Sequence, residues 1–281
     1  MSTTVAFAVL AAALLHAVWN ALIRGAGDKV LYTLLLHICT GILGILGLFW
    51  TGMPPIACWP YVMASVLIHT FYIACLMRVY EGGQLAVSYV LMRGLPPLLI
   101  TLCSVTLLGE ALGMTATVGI FCLSFGVLSI GFASGQSMPQ IWGHFSTKAA
   151  LLNAIAIAAY TLVDGQGVRL AVNPLSYAFC LMAFEPVIIL SLNFRARRWQ
   201  MVSYFNDHWR IVIFGAVCAL GAYATVLWAM TQAPIAMVAA LRESSVVFAV
   251  LIGALWFGEG RLRQGLLASV FVFIGLFLLR T

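Results

Sequence analysis

The sequence has very few charged residues. Lysine, arginine, aspartate and glutamate make up 8% of its 281 residues, whereas hydrophobic residues make up 63%. About a quarter of the residues in a soluble globular domain are charged, so this composition excludes an ordinary soluble protein and indicates an integral membrane protein. The net charge of +6 comes mainly from basic residues in loops between apolar segments. There they set membrane topology, so we expect no nucleic-acid partner.

The sequence also lacks the signatures of common catalytic sites. It contains no H-E-x-x-H, no G-x-S-x-G and no Walker-type glycine loop. Its seven cysteines lie in or beside apolar segments without metal-ligand spacing, and we interpret them as reduced packing residues. We expect no cofactor, no metal and no enzymatic activity. An intramembrane enzyme stays open as an alternative that rests on the histidines alone.

Apolar segments of about twenty residues predict transmembrane helices. The N-terminal segment lacks the basic region of a signal peptide, so we interpret it as the first span. The two longest breaks, 135–147 and 195–210, are predicted loops, and the first separates a half at 1–140 from a half at 141–281. The ten predicted spans are 4–23, 31–51, 58–79, 84–108, 114–134, 148–164, 174–194, 211–230, 234–257 and 262–280.

The two halves share a repeated stretch. Residues 234–260 align without a gap on residues 85–111 at a shift of 149 positions, which places Arg242 on Arg93 and Glu259 on Glu110. Because each half has an odd number of spans, the second half enters the membrane from the opposite side. The sequence therefore predicts an all-α polytopic membrane protein with ten transmembrane helices as a 5+5 inverted repeat. Transporters with such repeats bind substrate between them, near the midplane.

The basic residues predict the orientation of the chain. Arg169 and Arg280 fall on one side of the predicted topology, and ten basic residues fall on the other, which the positive-inside rule makes cytoplasmic. Both termini are then predicted to face outward. The ten residues are Arg24, Lys29, Arg78, Lys148, Arg195, Arg197, Arg198, Arg210, Arg261 and Arg263.

Three motifs resemble those of a known family. The opening LLHAVWNALIRG, the AYTLVDGQG of span six and the Gly-Glu pairs after spans four and nine resemble EamA-type members of the drug/metabolite transporter (DMT) superfamily. More weakly, the length and opening are similar to a subgroup associated with phosphonate utilisation. The resemblance implies a transporter in the cytoplasmic (inner) membrane of a bacterium. It also implies a cavity lined by spans one, three, four, six, eight and nine, with spans five and ten outside, often at a homodimer contact.

Polar and aromatic residues share faces of several predicted spans. His16, Trp19 and Asn20 have the i, i+3, i+4 spacing of one helix face. A polar face inside a bilayer must contact protein or water. We therefore expect such residues to line a substrate pocket, although bonds to neighbouring helices are an alternative. The candidates are His16, Trp19, Asn20, His69, Tyr72, Tyr89, Tyr160 and Tyr223.

Spans four and nine carry interior charges. Arg93 precedes Gly94 and two prolines, which predict a kink or break in span four. Arg242 has no proline behind it, so the two copies are expected to differ in rigidity. Two central arginines would form a cationic pair suited to a carboxylate, phosphate or phosphonate. Alternatively, they bind carbonyls, snorkel to an interface or pair internally, for example Arg93 with Glu243. Arg93, Arg242 and Glu243 are all candidate substrate-binding residues.

The other carboxylates have predicted structural roles. Asp164 is predicted to be a boundary or capping charge at the end of span six, rather than a buried carboxylate. Glu185 is expected to bond an arginine or the backbone rather than to couple protons. Glu110 and Glu259 precede spans five and ten, where carboxylates complement helix N-terminal dipoles.

The leading hypothesis is a secondary transporter that works by alternating access on a small polar metabolite. An amino acid or a similar zwitterionic or anionic compound suits the predicted pocket, and a phosphonate is a narrower possibility. The resemblance implies export as the commoner direction. Membrane lipid and a small-molecule substrate are the expected partners, with a coupling proton or a counter-substrate in addition. A transporter of organic cations or drugs is an alternative.

Overall fold

The computed structural model describes residues 1–81, 85–132, 145–257, 270–275 and 277–279, and within them all regular secondary structure is helical. A short 3₁₀ turn, Ile56–Cys58, precedes the third helix, and residues 270–275 and 277–279 are helical as well. The α-helices are α1 (Thr3–Gly25), α2 (Lys29–Thr51), α3 (Trp59–Glu81), α4 (Leu85–Gly94), α5 (Pro96–Thr106), α6 (Met114–Phe132), α7 (Phe145–Arg169), α8 (Pro174–Gln232), α9 (Ile235–Arg242) and α10 (Ser245–Phe257).

The predicted membrane spans are confirmed as apolar helical segments. Six segments are long and apolar enough to cross a membrane, and four shorter apolar segments occupy the remaining predicted positions. Large apolar side chains point away from the bundle, as in Phe49 at 86% exposure and Leu255 at 87%. Lipid, rather than water, is the solvent that suits such a surface. The chain is an all-α polytopic membrane protein.

Side-chain caps fix where three of the helices begin. The Ser2 hydroxyl accepts the Val5 amide, and the Asp28 carboxylate accepts the amides of Val30 and Leu31. Asn173 plays the same role at the start of α8. The first amides of a helix have no partner within it, so these polar residues stabilise each start by about 1 kcal/mol.

Helix α8 is continuous in its backbone but folds back on itself. Tyr177 and Tyr223 both donate a hydrogen bond to Asp164, although a straight helix would separate them by about 70 Å. The helix therefore has two arms, which we call the first arm (174–194) and the second arm (211–232). They correspond to predicted spans seven and eight.

The predicted loop at 195–210 is wrong, because this segment is helical and joins the two arms. It contains no glycine or proline to end a helix. Its Met201, Tyr204 and Phe205 pack on the apolar cluster at the end of α1 and the start of α2. Trp199 and Trp209 are exposed. A helix with an apolar face and exposed tryptophans is typical of the membrane interface.

Both repeated stretches are interrupted at the same place. Helices α4 and α5 are separated at Leu95, and α9 and α10 at Glu243 and Ser244. The shift of 149 positions places Leu95 on Ser244. The predicted break in span four is confirmed. Span nine was expected to be continuous and more rigid, but its helix is interrupted as well. In span nine the amides of Glu243 and Ser244 bond carbonyls three residues back, a tighter turn that needs no proline.

The main apolar core lies towards the end of the bundle where α7 finishes and α9 begins. Its members Val168, Leu227 and Ile235 are almost fully buried. Helix α2 lies against the first arm at very short distance, because a Cβ at Gly44 would stand 2.7 Å from the Phe179 carbonyl oxygen. Only glycine permits this approach, which holds α2 beside the cavity described next.

Candidate substrate cavity

A cavity of about 90 Å³ lies among α1, α2, α3, α7, α9 and both arms of α8. About 10–15 Å³ suffices for one water, so it has room for several waters or a small polar solute. Seven of the predicted pocket residues line it: His16, Trp19, His69, Tyr72, Tyr160, Tyr223 and Arg242. The other lining residues are Ala12, Leu36, His37, Thr40, Met182, Glu185, Ala219, Ala222 and Val226.

An aromatic cluster forms one side of the cavity. The rings of His69 and Tyr160 are stacked, with centroids 4.1 Å apart, and Tyr223 meets His69 edge-on at 5.8 Å. Tyr72 meets Tyr160 edge-on, also at 5.8 Å. The His69 Nδ1 atom is 3.1 Å from the Ser65 hydroxyl, which orients the imidazole. Offset and edge-on ring contacts of this kind stabilise a fixed arrangement, so the wall is preorganised.

A charged cluster lies where the two broken helices meet. Arg93 and Arg242 occupy the last turns of α4 and α9, where the negative end of the helix dipole favours cations. One Glu243 oxygen is 3.6 Å from the Arg93 guanidinium, and the other is 3.3 Å from that of Arg242. Arg93 also donates to His16 Nε2 at 2.6 Å. The predicted internal pairing of Arg93 with Glu243 is therefore present.

This cluster carries a net positive charge. Arg93, Arg242 and Glu243 are all buried, and two guanidinium groups face one carboxylate. Arg242 and His16 reach the cavity, whereas Arg93 and Glu243 lie behind them. One excess cation on a cavity wall is suited to an anionic group of a bound solute.

Glu185 reaches the cavity in a pairing that the sequence did not predict. Its carboxylate lies 3.6 Å from His37 Nε2, and both residues line the cavity. The expected bond to an arginine or the backbone is replaced by this histidine of α2. An imidazole inside an apolar span was the available signal for His37. It was missed because the family resemblance placed span two outside the cavity lining.

The prediction for Asp164 as a boundary charge is wrong. Helix α7 continues to Arg169, so Asp164 lies more than one turn inside it and is fully buried. The Tyr177 hydroxyl donates to its Oδ1 atom at 2.8 Å, and the Tyr223 hydroxyl donates to Oδ2. Asp164 thereby binds α7 to both arms of α8. Local spacing could not predict these contacts, because Tyr177 and Tyr223 are far apart in the chain.

Glu110 complements a helix N-terminus, as predicted, but the helix is α9 rather than span five. Both of its carboxylate oxygens accept the Ile235 amide, at 3.1 and 3.0 Å. Arg169 donates to the same carboxylate at 2.7 Å and to the Met230 and Ala233 carbonyls. We call these five residues the end latch, because they join the ends of spans four, six and eight to the start of span nine.

The remaining predicted residues lie elsewhere. The Asn20 side chain donates to the His16 carbonyl of its own helix and does not line the cavity. The side chain of Tyr89 and all of Glu259 lie outside the described residues. Arg261, Arg263 and Arg280, which entered the orientation argument, lie outside them as well. Among the described residues, the lining includes α2 and the first arm but none of span four, and Arg93 of that span lies behind His16 and Arg242.

The apolar helical segments define a polytopic membrane protein, and polar and aromatic side chains line a cavity inside it. Residues 145–281 match the model of the EamA-like transporter family. A crystal structure described only as "Crystal structure of protein" is similar over 98% of this chain and 95% of that chain, with a TM-score of 0.70 and 19% identity. At this identity the likeness shows a shared fold. No curated protein matches. Residues 145–281 therefore form a domain of the EamA-like transporter family, which is part of the DMT superfamily of transporters.

Proposed function

We propose that the protein is a secondary transporter that exports a small zwitterionic metabolite across the cytoplasmic membrane of a bacterium by alternating access. The observation that carries this proposal is the separation of opposite charges around one cavity. Arg242 belongs to the cationic cluster of α1, α4 and α9, whereas Glu185 pairs with His37 between α2 and the first arm. A solute with both an ammonium and an acidic group matches both.

The cationic cluster would hold the carboxylate or phosphonate of the solute. Arg242 lines the cavity, and its planar guanidinium can donate two parallel hydrogen bonds to such a group. Among the described residues, Glu243 is the carboxylate that lies within ion-pair distance of both arginines. Arg93 and His16 support the cluster from α4 and α1, so the anion site is fixed by three helices.

Glu185 would accept the ammonium group. Its carboxylate is largely buried and has His37 as neighbour. Among the residues that the structure describes, no lysine or arginine lies within ion-pair distance of it. A buried carboxylate whose ion-pair partner is a histidine can also accept a cationic ligand. The aromatic rings between the two charged sites suit an apolar or aromatic side chain of the solute.

Alternating access would use the two broken helices and the end latch. Breaks near the midplane are points at which α5 can move against α4, and α10 against α9. The end latch and the buried side chains around Ile235 close the cavity at one end. By the predicted orientation this would be the outer end, and the proposal then assigns the structure to a state closed to the outside.

Transport by the purified protein in liposomes tests the proposal. Labelled amino acids, aminophosphonates and organic cations are offered separately, and uptake is compared with protein-free liposomes. We expect zwitterions to cross. Passage of organic cations alone would refute the zwitterion assignment. If no solute crosses but one is covalently changed, as mass spectrometry would show, the protein is an enzyme instead.

Two variants separate the charge requirements. Arg242→Gln removes charge-assisted hydrogen bonds and should weaken zwitterion transport about 10- to 100-fold, while leaving cation transport nearly unchanged. Glu185→Gln should weaken the transport of both zwitterions and cations. Arg78→Gln and Asp207→Asn are matched controls, because both side chains are exposed. Zwitterion transport that is unaffected by both cavity variants would contradict the proposal.

Organic cations are the second candidate substrate. The observation that favours them is the combination of Glu185 with several aromatic rings, a setting that binds cations by charge and by cation–π contacts. Under this alternative Arg242 has only a structural role. The Arg242→Gln variant therefore decides between the two candidates.

A further inference from the structure

We propose that Asp164 is the proton-binding site of this protein and that its protonation is coupled to transport. The coupling rests on the proposed transport function, whereas proton binding at Asp164 is a property of the folded chain alone. Asp164 lies within the membrane-spanning helix α7 and has 0% exposure. Among the residues that the structure describes, no lysine or arginine lies within ion-pair distance of its carboxylate. A buried carboxylate without a cation is costly, and taking up a proton removes that cost.

Hydroxyl groups and one imidazole surround Asp164 and hold it in place. Tyr177 approaches from the first arm and Tyr223 from the second arm, both as hydroxyl donors. Ser65 and His69 face it from α3. One turn earlier on α7, Tyr160 stacks on His69. Arg169, five residues further along α7, is engaged by Glu110 and two backbone carbonyls.

Tyr223 connects Asp164 to the cavity. Its side chain lines the cavity, and its hydroxyl donates to the Asp164 carboxylate. A proton from cavity water therefore needs to pass only one hydroxyl group to reach Asp164. The chemistry is a simple acid–base exchange, in which the carboxylate takes up one proton to form a neutral carboxylic acid and later returns it.

Protonation changes the contacts between helices. The carboxylate form accepts one hydrogen bond from each arm, so it ties α7 to both. The acid form carries a hydrogen on one oxygen, which then becomes a donor and is a poorer acceptor than a carboxylate oxygen. The tie between α7 and one arm is weakened. Since both arms line the cavity, this links proton binding to the shape of the substrate site.

Infrared spectroscopy of the full-length protein in lipid tests proton binding without any substrate. The carbonyl stretch of a carboxylic acid is distinct from that of a carboxylate, so difference spectra between pH values report protonation. We expect a titrating carboxylic-acid band in the wild type and in Glu185→Gln, and its loss in Asp164→Asn. A wild-type spectrum without such a band, or a band that survives in Asp164→Asn, would overturn the inference.

Two further variants cover the case in which Asp164→Asn does not fold. Tyr177→Phe and Tyr223→Phe keep the carboxyl group but each removes one hydrogen-bond donor. Both should shift the band without abolishing it, because the hydrogen bonding of the carboxyl changes. A band that is identical to the wild type in both variants would show that it arises elsewhere, and the inference would be wrong.

Proteoliposomes test the coupling, with 2-aminoethylphosphonate and a pool of labelled amino acids as probes. Asp164→Asn should lose accumulation driven by a pH gradient but retain exchange at equal concentrations on both sides. If gradient-driven accumulation survives in this variant, coupling at Asp164 is refuted. If no probe crosses while the Asp164 band titrates, the proposed zwitterion transport fails and proton binding stands. If a probe crosses but no Asp164 band exists, the proposed transport stands and proton binding at Asp164 is refuted.

Discussion

Removing the carboxylate of Glu110 should open the closed end of the cavity. In the end latch this carboxylate binds Arg169 at 2.7 Å and the Ile235 amide at the start of α9. The ion pair contributes about 0.5 kcal/mol, because the Arg169 side chain is 31% exposed and partly screened. The cap on α9 contributes about 1 kcal/mol. Glu110→Ala should thus favour the open form by about 1.5 kcal/mol, which is about tenfold in population.

A native cysteine reports this opening. Cys58 is fully buried, and its thiol lies 3.5 Å from the carbonyl of Gly167, two residues before Arg169. Its alkylation by N-ethylmaleimide in proteoliposomes, followed by mass spectrometry, should be about tenfold faster in Glu110→Ala. Cys218 is also buried but lies in the part of the second arm near the start of α2, so it serves as the internal reference.

Two matched variants sharpen the result. Glu110→Gln keeps an oxygen for the Ile235 amide and loses only the charge, so alkylation of Cys58 should rise about two- to threefold. Asp207→Asn removes an exposed carboxylate and should change nothing. The reasoning is refuted if Cys58 reacts at the wild-type rate in Glu110→Ala, or if Cys58 and Cys218 accelerate equally. Equal acceleration would indicate general loosening.

Three other substitutions have definite expected outcomes. Gly44→Ala should force α2 away from the first arm and lower the free energy of unfolding, measured by thermal denaturation, by about 1–3 kcal/mol. Gly27→Ala should have little effect in this assay, because a Cβ at position 27 meets open space. Glu243→Gln removes the carboxylate that lies between two buried guanidinium groups and should lower the free energy of unfolding by about 3–5 kcal/mol. Arg93→Gln keeps the pair of Arg242 and Glu243, so it should cost less, and it should restore part of the loss in the double variant. Asn20→Ala should leave transport near the wild-type rate, since its side chain bonds only its own helix.

The fold was largely predictable because membrane spans are encoded locally. An apolar stretch of about twenty residues is sufficient to predict a span, whatever the rest of the chain does. The errors occurred where polarity was mistaken for loop structure. Residues 195–210 are polar enough to suggest a loop, but their apolar side chains recur on one helix face and pack on α1 and α2. A period of three to four residues was the signal that indicated a helix.

The candidate site was only partly predictable because it depends on which helices meet. Helix-face spacing identified His16 and Trp19, and the aligned repeat identified Arg93 and Arg242 as charges inside apolar spans. The pairing of His37 with Glu185 required α2 to lie on the first arm, which the Gly44 contact brings about. No local pattern encodes that contact. The interruption of span nine could have been predicted, because span nine aligns with span four, whose two prolines mark a break at the same position.

One difference between the repeated stretches bears on the relative free energies of the two conformations that alternating access requires. Glu243 corresponds to Gly94 under the shift of 149 positions, so one broken helix ends in a buried carboxylate and the other in no side chain at all. Two identical halves that exchanged conformations would have inward-open and outward-open forms of equal free energy. With its single carboxylate on one side, this chain has no such degeneracy. Under the proposed alternating access, Glu243 is one of the residues that make the two forms unequal in free energy.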